Sequence, residues 1–177
     1  MATNSSIALI TGGTSGIGRA VTNKLAQLGI HVLVVGRNAE RGEKTVAEIR
    51  AAGGKADFIS SDLRDASSAR EVARRAVALG NGHVDILINN AGVFPFGPTH
   101  DTTEEVFDSV YSLNVKVPYF LVAELAPLMA KRGGWHEPLW IEQGCHQPVD
   151  QSVGGRIWPE RCPRQCGEPW AYAHGRH

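Results

Sequence analysis

The segment Thr11-Gly-Gly-Thr-Ser-Gly-Ile-Gly18 constrains the fold of this chain more than any other. It follows a short apolar run, Ile7-Ala-Leu-Ile-Thr11, and leads into Ile17, Val21, Leu25 and Leu28, spaced along one helical face and stopped at Gly29. The spacing predicts a buried strand, a glycine turn and a helix in immediate succession. Such a turn presents the helix's unpaired amides and the positive end of its dipole, which suit phosphate. Gly12 permits the tight turn, Gly16 lets a diphosphate approach the backbone, and Gly18 allows the helix to pack closely on the strand. Thr14, Ser15 and Ile17 lie between these glycines and complete the candidate diphosphate-binding set. The other reading is a glycine-rich turn with no ligand, and the flanking strand and helix tell against it.

The same alternation continues. Ile30–Val35 is predicted as a second buried strand, followed by a polar helix from about Asn38 carrying Val46 and Ile49 and ended by Gly53-Gly54. Ala56–Ser60 is a third strand. Asp65 is placed to cap a helix with Ala69, Val72, Ala76 and Leu79 on one side, closed by Gly80. Val84–Ile88 is a fourth strand. A long helical pattern opens at Asp101 or Thr102 and runs through Val106, Val110, Leu113, Val117, Leu121, Leu125 and Leu128, with bends expected at Pro118 and Pro127. Strands alternating with helices in this way imply an α/β fold, a doubly wound parallel (Rossmann) sheet of about four strands covered on both faces.

The end of the second strand bears on cofactor choice. A carboxylate about 20 residues past the glycine loop would take the ribose hydroxyls of NAD. The position holds Gly36-Arg37 instead, and a guanidinium suits a 2′-phosphate. Arg37 therefore favours NADP. NAD stays open, because a solvated surface arginine would look the same in sequence.

With these residues in view, the chain resembles the short-chain dehydrogenase/reductase family over residues 5–134. The form Thr11-Gly12-x-x-x-Gly16-x-Gly18 is that family's version of the loop, and three further matches follow in family order. Asp62-Leu63 is similar to the pair that touches the adenine ring. Asn89-Asn90-Ala91-Gly92 matches the segment that steadies the sheet and lines the adenosine ribose. Asn114, in Ser-Leu-Asn-Val-Lys, matches the helix-bend asparagine that holds a proton-relay water, and is the one catalytic candidate. The resemblance implies hydride transfer between a nicotinamide and a carbonyl or alcohol carbon of a small molecule, in a family that is usually homo-oligomeric. It also implies a sheet running third, second, first, fourth and onward. In that family a tyrosine moves the proton, assisted by a lysine four residues later, and a serine about a dozen residues earlier orients the substrate oxygen. A phenol needs such nearby positive charge to act as a base near neutral pH.

That apparatus is missing from the sequence. Four residues after Tyr111, Tyr119 and Tyr172 stand Val115, Ala123 and Arg176. Composition changes where the apparatus would begin. All four tryptophans and all three cysteines lie in residues 135–177, with five of the nine prolines and only five Val, Ile or Leu. So few aliphatic residues cannot build a core, and the expectation is a Rossmann portion over 1–134 and a disordered, non-family tail over 135–177. Stopping after the fourth strand would leave that strand an uncovered edge. Cys145-His146, Cys162-x-x-x-Cys166 and His174-x-x-His177 follow no recognised zinc spacing, so no metal site is expected. Eighteen basic and eighteen acidic residues balance to zero net charge, which argues against a nucleic-acid or anionic-membrane partner. No apolar run is read as a membrane span, and Met-Ala-Thr-Asn-Ser-Ser lacks the blocks of a secretory signal, so a cytoplasmic protein is expected.

A shifted reading frame would account for the tail. Read one base later, every tryptophan codon yields glycine. With suitable third bases, Leu139 to Cys145 becomes Y-G-S-S-K-A-A and Cys162 to Trp170 becomes V-R-V-N-A-V-S-P-G, both hallmarks of the resembled family. Sequencing the DNA from codon 134 onward is expected to show the third bases these segments require; other bases there would remove the explanation.

Overall fold

Each strand of the sheet alternates side chains between two apolar layers, as a strand covered on both faces must. In the computed structural model, which describes residues 6–131, β1 (Ile7–Thr11), β2 (His31–Gly36), β3 (Ala56–Ser60) and β4 (Ile86–Ile88) form a parallel sheet in the order β3-β2-β1-β4. This is the order the family resemblance implies. The described residues fall within one unit, Met1–Gly134. The tail, its expected disorder and its candidate frameshift lie outside them.

On one face, Leu9, Leu33, Val35 and Ile59 pack with Val72 and Ala76 of α3 (Ala66–Leu79) and with Leu121 and Leu125 of α5 (Val117–Lys131). On the other, Ile10, Val32 and Val34 pack with Ala26 of α1 (Gly16–Gln27) and with Val46 and Ile49 of α2 (Ala39–Ala51). Parallel strands require crossovers, and the helices supply them while sealing both faces.

The sequence reading needs correction at several points. Ile17 and Leu28, read as part of the buried face of α1, are 79% and 64% exposed. Ile17 stands at the helix start beside a cavity, and Leu28 is the cap residue beyond the last turn, so the buried face of α1 is Gly18, Thr22 and Ala26, with the expected Val21 and Leu25 half-buried against the same core. Leu79 is likewise exposed, at the end of α3. β4 begins at Ile86 rather than Val84. At Asp85 the side-chain carboxylate, not a strand carbonyl, accepts the Ile7 N–H at 2.8 Å. The other edge of β4 has no strand paired to it among the described residues.

The long helix is also not one helix. A short 3-10 turn at Thr99–Asp101 precedes α4 (Glu104–Tyr111), capped by Thr103, and a π turn at Ser112–Lys116 separates α4 from α5. The break comes before Pro118, which sits in the first turn of α5, and Pro127 lies within that helix. By length and composition alone an 18-residue window within Glu104–Lys131 is apolar enough to cross a membrane, with mean hydropathy 1.2, which corrects the expectation that no run would be. Within the fold its apolar residues Val117, Leu121 and Leu125 belong to the core under α3.

The expected cap at Asp65 is present in full. Its carboxylate accepts the Ser68 N–H at 2.7 Å, and the Ser68 hydroxyl accepts the Asp65 N–H at 3.1 Å, a reciprocal capping box. The Ser68 amide and hydroxyl hold the Asp65 carboxyl below the usual carboxylate range. A carboxyl with a lowered folded value stabilises the fold above its unfolded pKa and loses that contribution as pH falls through the folded one. Asp65→Asn, which caps without titrating, is therefore expected to melt less acid-sensitively below about pH 4 than the parent, and Asp65→Ala to melt lower at neutral pH. Thermal denaturation followed by circular dichroism across the acid range checks both.

Candidate functional site

The C-terminal ends of β1, β2 and β3 and the loop after β4 surround an open cavity of about 940 Å³. Its floor is a turn that needs glycine. Gly12 and Gly16 have φ of +67° and +52°, in the left-handed region that other residues resist. A side chain at Gly12 would also press on the Ala91 backbone, and one at Gly18 would strike the Gly12 carbonyl and the Asn90 side chain. Gly18 thus clears the way for the loop and for Asn90, not only for helix against strand as the sequence suggested. Gly16 contributes through its backbone angle and is not among the cavity-lining residues.

Loop and sheet are latched together by Thr11. Its hydroxyl oxygen accepts the N–H groups of Asn90 and Ala91, each at 3.0 Å, and lies 3.4 Å from the Ile88 carbonyl. In return the Asn90 amide donates to the carbonyls of Thr11 at 3.0 Å and Gly12 at 3.2 Å. Asn90 therefore holds the glycine loop as well as lining the cavity with Ala91 and Gly92. Thr11 was read as the end of a strand; its place as the latch depends on contact with residues about eighty positions away, which local sequence does not show.

The start of α1 differs from the other helix starts. Asn38, Asp65 and Thr103 each cap their helix with a side-chain oxygen, whereas Ser15 makes no such bond, and the first turn of α1 holds no acidic residue. Ser15, Ile17 and Gly18 at that helix start line the cavity together with Thr14. Backbone N–H groups left without an acceptor at a helix start favour an anion.

The predicted residues beyond the loop are brought to the same cavity. Arg37 lines it from the end of β2, exposed, and Asp62 with the buried Leu63 lines it from the loop after β3. The Asp62 carboxylate pairs with Arg64. Gly36 has its own reason: a Cβ there would lie 2.8 Å from Thr14 Cγ2, so Thr14 and a side chain at position 36 exclude each other.

Asn114 stands apart from the cavity wall, which reaches its neighbours Ser112 and Leu113. Its amide bonds both polar groups of one backbone residue: the Val93 N–H donates to Oδ1 at 3.0 Å and Nδ2 donates to the Val93 carbonyl at 2.8 Å. The side chain anchors the segment after Asn90-Ala91-Gly92 to the π turn. Pro118, four residues later, has no N–H to give the Asn114 carbonyl, so that carbonyl is denied its α-helical donor.

Asn38, Arg41, Arg64 and Ser112 were not read as site residues, yet all line the cavity. Asn38 was read only as the approximate start of a helix, which its side chain caps. Arg41 and Arg64 looked like ordinary surface charges, and Ser112 enters through a hydrogen bond from its hydroxyl to the Arg64 carbonyl, 48 residues away.

Comparison with known proteins gives a consistent result. Residues 6–135 match the profile of the short chain dehydrogenase family. An uncharacterized oxidoreductase of Thermotoga maritima is 38% identical over 128 residues, covering 72% of this chain and 50% of that protein. A metagenomic short-chain oxidoreductase solved in complex with NADP superposes with a TM-score of 0.69 at 35% identity, covering 73% of this chain and 60% of that one. A metagenomic blue fluorescent protein solved with NADPH gives a TM-score of 0.65 at 30% identity, covering 69% and 50%. The chain spans about half the length of the curated relatives it matches.

Thr11→Val keeps the shape of the latch and removes its oxygen, leaving two backbone N–H groups without their acceptor. Each such group costs about 1–3 kcal/mol, so Thr11→Val is expected to lower unfolding stability by about that much or more, while Thr11→Ser retains most of it. Urea denaturation of the two variants measures the difference.

Proposed function

This chain belongs to the short chain dehydrogenase family, and we propose that it is the dinucleotide-holding portion of an oxidoreductase of that type, binding NADP in preference to NAD. The observation that carries this reading is the start of α1, where a left-handed glycine turn leads into an uncapped helix at the mouth of the cavity. Those amides would take the diphosphate. Leu63 and Asp62 would flank the adenine, and Arg37 would take a 2′-phosphate. The solved relatives described with NADP and NADPH support the choice of cofactor.

A bound nicotinamide would supply or take up the hydride exchanged with a small carbonyl or alcohol. The chain's own part is to bind and orient. Asn114 fixes the backbone of Val93 through both polar atoms of its side-chain amide. The proton-moving tyrosine and lysine are absent from the sequence, and Ser152 is the one serine beyond Gly134. We therefore read the chain as binding cofactor without turnover. The apolar side chains of Phe107, Tyr111 and Tyr119, exposed along α4 and α5, favour self-association, in keeping with the family's usual homo-oligomers.

The second reading, an active oxidoreductase, draws on the family alone. Titrating the purified chain with NADPH and following nicotinamide fluorescence, then adding a panel of aldehydes and ketones, separates the two. Binding that Gly18→Val abolishes, with no oxidation of NADPH above the blank, is the expected result. Carbonyl-dependent oxidation of NADPH would favour the second reading instead.

A further inference from the structure

The turn that carries the chain from α3 into β4, Gly80-Asn81-Gly82-His83, lies at the end of the sheet opposite the cavity. It holds the one Asn-Gly pair in the sequence. Asn81 has a φ of +52° and Gly82 one of +92°, and Asn81 is the one non-glycine residue with positive φ among the described residues. A helix that ends in the left-handed region usually places glycine there, and asparagine is the usual second choice. Both residues are exposed, and a Cβ at Gly82 would meet nothing within 4 Å. An exposed carboxamide thus stands next to a peptide nitrogen whose own residue has no side chain to obstruct it.

The turn is also closed on itself. The Gly80 N–H donates to the Ala76 carbonyl and the Gly82 N–H to the Val77 carbonyl, each at 2.8 Å, and the His83 N–H donates to the Gly80 carbonyl at 3.2 Å. A Cβ at Gly80 would lie 2.0 Å from the His83 carbonyl oxygen, so the two sides of the turn touch. Immediately beyond it, His83 and Val84 are buried. Asp85 then bonds Ile7 twice, its N–H donating to the Ile7 carbonyl at 2.9 Å and its carboxylate accepting the Ile7 N–H at 2.8 Å. An added main-chain atom between α3 and β4 would have to displace one of these contacts.

We propose that Asn81 is a modification site, where the Gly82 nitrogen closes on the Asn81 side chain, and that the hydrogen bond from Gly82 to Val77 gates the reaction. No ligand takes part, so the site is independent of what the cavity holds. In the first step the Gly82 nitrogen bonds to Asn81 Cγ, the Cγ–Nδ2 bond breaks, and Nδ2 leaves as ammonia with the proton from the Gly82 N–H. Water then opens the cyclic imide. Attack at Cγ yields aspartate. Attack at the main-chain carbonyl carbon yields isoaspartate, whose main chain runs through Cβ and Cγ and is one carbon longer. The nitrogen can attack only when its proton is free to leave, and in the closed turn that N–H is engaged with Val77. Reaction therefore requires local opening, which for a surface turn costs less than global unfolding. Aspartate tolerates the left-handed region as asparagine does, whereas isoaspartate does not fit the closed turn and pulls on Asp85 and Ile7.

The full chain is incubated in warm, mildly alkaline buffer with and without denaturing urea, then digested, and the peptide containing Asn81 is weighed by mass spectrometry. In urea that peptide should gain the mass that replaces an amide by a carboxyl, with heavy-oxygen water supplying the new oxygen, and faster than at any other asparagine. In the folded chain the same conversion should be at least about tenfold slower. Gly80→Ala, which wedges the turn open against the His83 carbonyl, should recover much of the lost rate in the folded state. Asn81→Asp should unfold in urea close to the parent, while the isoaspartate fraction, recognised by an isoaspartyl methyltransferase, should unfold at lower urea. Equal rates with and without urea, or a folded Gly80→Ala chain that reacts no faster than the parent, overturn the gate. An unmodified Asn81 in the unfolded chain overturns the site itself. If circular dichroism shows Gly80→Ala unfolded, hydrogen exchange of the Gly82 amide in the parent decides. Protection lost at the same sub-denaturing urea that starts the reaction supports the gate, and an unprotected amide overturns it.

Discussion

One buried hydroxyl organises the functional end of this fold. Thr11 closes β1, and its oxygen takes two N–H groups from the loop after β4, while Asn90 from that loop returns its amide to the carbonyls of Thr11 and Gly12. Each bond alone is modest, but the groups are largely withdrawn from water, where an unmade bond is costly. The latch holds the left-handed turn at Gly12 against the adjacent strand's loop, and α1 starts from that turn. The start of α1 thus depends on a contact between β1 and the loop after β4.

Much of the architecture was legible in the sequence because it depends on periodicity and local chemistry. Short apolar runs gave the strands, the first two ending at glycine, and Asp65 announced its helix by residue type. What escaped depends on distant partners. Ile17 and Leu28 fit a helical stripe, yet a stripe does not say which end of it meets a cavity or runs past the last turn. The π turn at Ser112–Lys116 was read as a proline bend, because nothing within those residues reveals that Asn114 bonds both backbone groups of Val93. At the site, residues whose role is conformational were found from type and spacing. Arg41, Arg64 and Ser112 were not, since long side chains and a cross-element hydrogen bond carry no local signature.

The cavity's charge is unevenly divided among its walls. Asp62 is tied to Arg64, so the loop after β3 presents a neutralised pair next to Leu63, a fitting surface for a flat, uncharged ring. The loop after β2 presents the Arg37 guanidinium, which forms no ion pair among the described residues. The start of α1 presents amides with neither a cap nor an acidic neighbour. Three adjoining surfaces thus differ in kind, in the order that a base, a substituted ribose and a diphosphate occur in one ligand.

This order also separates holding from reacting. The surfaces that would grip the adenosine and diphosphate come from the loops after β1, β2 and β3, and the latch that sets their geometry is complete once β4 has paired with β1. Proton transfer needs groups placed within hydrogen-bond reach of the reacting atoms, with a pKa matched to the task, and under the proposed reading no Tyr-x-x-x-Lys pair stands in the sequence to supply them. Binding energy gathered far from the reacting carbon contributes to rate only when it positions a reacting group. Where no such group exists, the same contacts yield affinity alone, and a cavity well formed for a cofactor is compatible with an absence of turnover.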